Sequence, residues 1–117
     1  MYEIVDLPKS FNCYGYVYSK ITGEPEEGHM MMVHFMEKIT QLGYKVVSAA
    51  EAEFVLKIEE GIEGDGMPYH AMYVEGRDDK GEIYISHRPG SQDEVENAKL
   101  KDLIAKRPET RFAYYGK

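Results

Sequence analysis

The side chains able to carry chemistry in this chain are few. They are His70 and His87, Arg88 and Arg111, the single cysteine Cys13, and the carboxylates of an acidic run over 59–66. His70 and His87 fall at the open end of a hairpin expected over 70–87, which makes them near neighbours across it. General acid–base work would need one of them within hydrogen-bond reach of a carboxylate such as Glu63 or Asp65. Two imidazoles are too few for a closed zinc site. His29 and His34 are five apart, which is not the i, i+4 spacing that aligns two ligands on a helix, and no His-Glu-x-x-His pattern occurs. No metal and no cofactor is therefore expected. Arg88 and Arg111 lie in segments read as irregular, beside aromatics, and suit a small anion. With His70 and His87 they form a candidate ligand-binding set near a loop at 60–69.

Cys13 reads as a buried structural thiol, mid-strand among aromatics, with no basic neighbour in sequence to lower its pKa. Ser10, Ser48 and Ser91 lack a nucleophile-elbow context. No Gly-rich phosphate loop precedes a helix, which excludes the usual nucleotide-binding signatures. The acidic run lacks the alternating oxygen ligands of an EF-hand and reads as a solvated loop. Met30, Met31, Met32 and Met36 offer an adaptable groove or, more simply, core and its flanks. No catalytic set emerges.

The totals narrow the function further. At 117 residues the chain reads as a single domain, 1–117. Its net charge of −7 argues against a nucleic-acid partner, whose phosphates require Lys and Arg. The run Tyr14-Gly15-Tyr16-Val17 resembles the core of the RNA-recognition motif RNP1. It lacks that motif's basic lead and closing aromatic, and it is set aside. No apolar run is long enough for a transmembrane helix, and no signal peptide is visible. One cysteine admits no internal disulfide, so a reducing cytoplasm is expected.

Elements must position these groups. A short edge strand is expected at 2–6 and a longer strand at 10–19. A helix follows over 27–42, with Met32, Phe35, Met36, Ile39 and Leu42 at helical spacing and Gly43 as its stop. Strands come next at 44–48 and 53–59, with a single helical turn possible at 48–51 between them. The 70–87 hairpin is followed by a helix over 91–107, opened by a Ser91/Glu94 capping box and closed by Pro108. Phe112, Tyr114 and Tyr115 form an aromatic tail that docks back. The implied class is α+β: a mostly antiparallel four- to five-stranded sheet with two helices on one face.

Tyr is used 10 times against 4 Phe and no Trp, which suggests half-wet surfaces. Phe54, Leu56, Ile58, Met72, Val74, Ile83 and Ile85 are assigned to the helix-covered face. Tyr14, Tyr16, Tyr18, Tyr73 and Tyr84 then share the other face with Lys57, Glu59 and Glu75, a patch of the kind that forms interfaces.

The stretch 43–47, then 52–58, then a strand ending in Asp78-Asp-Lys-Gly-Glu-Ile83, all following a helix, is similar to the α-β-β-β unit of bacterial envelope assembly lipoproteins and of the TolB N-terminal domain. The likeness covers about residues 29–86. It implies a non-catalytic, assembly-forming domain. The expected function is thus a protein-interaction module, homo-oligomeric, a small acidic adaptor or inhibitor working through the Tyr-rich face. The alternative is a binder of a small anionic ligand in an inter-subunit pocket near loop 60–69.

Overall fold

The computed structural model describes residues 12–26, 28–60, 66–89, 94–108 and 110–117. The expected strand at 2–6, Ser10, Phe11, Glu63, Asp65 and Ser91 lie outside them. The architecture is α+β, with three helices and a six-stranded antiparallel sheet. The order is α1 (Cys13–Thr22), α2 (Met32–Gln41), β1 (Lys45–Val46), a 3-10 turn (Ala49–Glu51), β2 (Phe54–Glu60), β3 (Gly66–Arg77), β4 (Ile83–His87), β5 (Glu96–Lys99), α3 (Leu100–Lys106) and β6 (Arg111–Gly116). Across the sheet the strands run β1-β6-β2-β3-β4-β5.

The expected strand at 10–19 is instead helix α1. Asn12 caps it, its Oδ1 accepting the Gly15 N–H at 3.1 Å, and Gly23 ends it in the left-handed region at φ 78°. Tyrosines at 14, 16 and 18 imitate strand alternation, but the caps at both ends and tertiary burial decide the outcome. Tyr14, Tyr16 and Val17 all enter the core. Gly15 has a packing reason to sit inside this helix: a Cβ there would lie 2.6 Å from the Gly28 carbonyl oxygen. The same Asn12 side chain donates to Met30 O at 2.6 Å and accepts from Met30 N at 3.0 Å, which ties the 28–30 segment across the start of the helix.

α2 forms where its apolar stripe predicts. Phe35 and Ile39 are fully buried, Met32 and Met36 are half-buried, and Leu42 is exposed. The hairpin also forms, as β3 and β4 joined by a turn in which Asp78 Oδ1 accepts from the Lys80 and Glu82 amides. The helix expected over 91–107 is split. Residues 96–99 pair with β4 along its outer edge, from Tyr84↔Lys99 to His87↔Glu96, and only Leu100–Lys106 is helical. Satisfying the β4 edge outweighs local helix preference here. The aromatic tail becomes β6, inserted between β1 and β2.

The sheet is covered on both faces, not one. Phe54 and Leu56 of β2 stand opposite Tyr73 and Ala71 and pack under α1 and α2, with Val17, Phe35, Ile39 and Tyr115. Val55 stands opposite Met72 and packs on the other face with Val74, Ile83, Ile85 and Leu100 of α3. The single helix-covered set read from the sequence therefore divides into two cores. Phe54, Val55 and Leu56 are all fully buried, so this stretch carries no apolar–polar alternation to announce a wet face.

Candidate functional site

The Tyr-rich sheet face does not exist as one surface. Tyr14 and Tyr16 are buried in α1, and Tyr18, also on α1, is half-buried against the same core. Tyr73 lies on that side of the sheet beneath Lys20, whose Nζ is 5.2 Å from the ring centroid. Tyr84 is 37% exposed and carries Lys99 over its ring. The cause is that Cys13–Thr22 is helical, which removes three of the five tyrosines from the sheet.

Tyr16 belongs to the packing that holds α1 on the sheet. Tyr16 Oη donates to Ser86 Oγ at 2.7 Å, and Ser86 Oγ donates to Glu75 Oε1 at 2.6 Å. Lys20 Nζ lies 3.6 Å from the same carboxylate. Arg88 clasps Glu26 through Nε at 2.9 Å and a terminal guanidinium nitrogen at 3.0 Å, with its guanidinium 5.9 Å from the Tyr16 ring. This bidentate pair ties the segment after α1 to the end of β4. Arg88 is therefore committed to Glu26 instead of facing His70. Arg111 opens β6 opposite Ile58 and is exposed.

His70 and His87 do meet. His70 Nε2 and His87 Nδ1 are 2.6 Å apart, the rings are edge-on with centroids at 4.9 Å, and both residues are buried, at 8% and 5% exposure. A contact this short requires one nitrogen to donate and the other to accept. Glu96, opposite His87 on β5, brings Oε2 to 3.9 Å from His87 Nε2 and favours the proton there. His87 Nδ1 is then the acceptor, His70 Nε2–H the donor, and His70 Nδ1 keeps a free lone pair. Burial first, then His87 and Lys57, push the His70 pKa down to about 3, so the ring is neutral at physiological pH. Burial lowers His87 as well, with Glu96 opposing and Lys57 reinforcing the shift.

On the other face of the sheet, in the core under α1, lies the cysteine that the sequence placed mid-strand. Cys13 is the first residue of α1, at the positive end of the helix dipole, and it is buried at 8% exposure. Its thiol meets the backbone at Ala71, the residue after His70, and at Tyr14 and its own amide. These contacts pull the thiol pKa down, while burial, the larger effect, pushes it up. The pairing of β3 with β4 ends at Tyr73↔Ser86, short of Ala71, so the helix start approaches β3 beyond the end of that ladder. Within the first turn, the Gly15 amide is taken by Asn12 Oδ1 and the Tyr16 amide by the Asn12 carbonyl. That leaves the Cys13 and Tyr14 amides directed at the sulfur. The Tyr14 hydroxyl is buried without a hydrogen-bond partner, and its pKa is raised by burial and by the neighbouring Cys13.

The signal that could have revealed α1 is Asn12 as an N-cap with Gly23 as a stop, which turns an apparent mid-strand cysteine into the first residue of a helix. Among the described residues no cluster of three or more His, Cys, Asp or Glu could hold a metal ion. No helix among them is long and apolar enough to cross a membrane. Comparison with family models, curated proteins and solved structures finds no match to this chain.

Proposed function

We propose that the protein is a protein-interaction module whose contact surface is the exposed apolar strip at the start of α2. The observation that carries this reading is that Met31, just before α2, and Val33 on it are 68% and 60% exposed and adjoin the half-buried Met32 and Met36, a strip suited to a protein partner or a second copy. Light scattering of wild type and Val33→Glu tests it. A wild-type oligomer that the substitution dissociates supports it, and a wild-type monomer removes the self-association version.

A further inference from the structure

The chain carries the run His29-Met30-Met31-Met32-Val33-His34, and the fold brings four of these side chains to one place. His29, Met30, Met31 and His34 line a cleft of about 590 Å³ between the start of α2 and α1, which contributes Gly15 and Tyr18. The Met30 backbone is held to the start of α1 by both bonds from the Asn12 side chain, at 2.6 and 3.0 Å. Gly15 lets the Gly28 carbonyl oxygen lie against α1, so the segment leading into α2 runs close along that helix. Met31 is the N-cap of α2 and His34 its third residue, a spacing that sets the two side chains next to each other at the helix entry. His29 precedes the helix, so its five-residue spacing from His34 does not keep the two rings from one cleft.

Packing does not account for this set. Met31, His29 and His34 are exposed, and only Met30 rests on the core. Met31 also makes no side-chain cap to α2, where Ser, Asp or Asn would start the helix better.

We infer that His29, Met30, Met31 and His34 form a binding site for one Cu(I) ion. This goes beyond the interaction reading and does not rest on it. Thioether sulfur is a soft donor that selects Cu(I), and imidazole also suits copper. The harder alternatives lack donors: among the described residues no three His, Cys, Asp or Glu are grouped to hold a metal. The set reaches four only when the two sulfurs are counted, and that addition chooses the ion. The positive end of α2 opposes any cation in the cleft, and a monovalent ion feels that field half as strongly as Zn(II). Glu24 at the same cleft and the net charge of −7 favour entry of a cation. The flexible methionine side chains and the exposed rings let the four donors close on one ion.

The experiment is an anaerobic titration of Cu(I) into the full chain against bicinchoninate, whose coloured Cu(I) complex reports what the protein leaves behind. Wild type is expected to withdraw one equivalent. Met30→Leu/Met31→Leu keeps the apolar volume and should weaken binding by about tenfold or more. His29→Gln/His34→Gln should do the same. Cys13→Ser should leave binding unchanged, because that thiol is buried in the core under α1. Zn(II) at equal concentration should not displace the copper. Failure of wild type to withdraw Cu(I) overturns the site. Withdrawal that survives both double variants, or that Cys13→Ser abolishes, overturns it as well, and displacement by Zn(II) overturns the choice of ion. The Leu variant preserves the apolar strip, so light scattering on it reads the interaction surface separately from the metal site.

Discussion

Lowering the pH from 7.5 to 5.0 should destabilise this protein through His70 by a predictable amount. The ring is neutral and buried in the folded chain, with a pKa near 3, against 6.5 for the free side chain. The unfolded state therefore binds a proton that the native state refuses, and stability falls as pH drops below 6.5 toward 3. At pH 5.0 the unfolded ring gains about 1.5 pH units of protonation free energy while the folded ring gains almost none. At about 1.36 kcal/mol per unit this costs about 2 kcal/mol. The figure hardly changes if the folded value is nearer 4, because at pH 5.0 the folded ring is still mostly neutral. His87 is shifted in the same direction and adds to the loss. Urea titrations at the two pH values measure it, as a fall in midpoint of about 1 M for a chain this size. His70→Gln keeps a donor for His87 Nδ1 and has no ring to titrate. The pH-dependent part of the loss should shrink by about 2 kcal/mol in that variant. Equal losses in wild type and His70→Gln would refute the buried, neutral pair.

Other outcomes follow from the same contacts. Asn12→Ala removes the α1 cap and both bonds to Met30, and should lower stability by about 2 kcal/mol in chemical denaturation, with Asn12→Asp retaining part of it. Gly15→Ala drives a methyl into the Gly28 carbonyl and should cost about 1–3 kcal/mol, although alanine normally favours a helix. Phe35→Ala, emptying a fully buried position between Tyr14 and Phe54, should cost about 3–5 kcal/mol by the same assay. Because burial raises the Cys13 thiol, its iodoacetamide alkylation rate should keep climbing through pH 9; a plateau near neutrality would mean a preformed thiolate instead.

What could be read from the sequence was whatever local pattern alone decides. The stripe of α2 has a 3.6 period that no neighbour disturbs, and the β3–β4 hairpin declares itself through alternation and a charged turn. That hairpin also sufficed to set His70 beside His87. The failures came where long-range partners decide. β5 is a strand because β4 offers an open edge, and β6 enters the sheet because β2 needs a second neighbour. The face assignment failed at β2, where apolar residues look both ways because helices cover both sides. The most costly error was α1. Three tyrosines two residues apart outweighed one capping asparagine, and a helix packed on the sheet was read as a strand within it.

The bond from Tyr16 to Ser86 joins residues separated by 70 positions. During synthesis α1 leaves the ribosome well before the strand that receives its tyrosine hydroxyl. Until β2, β3 and β4 have followed and paired, the apolar side of α1 has no sheet to cover, so this helix docks late although it emerges early.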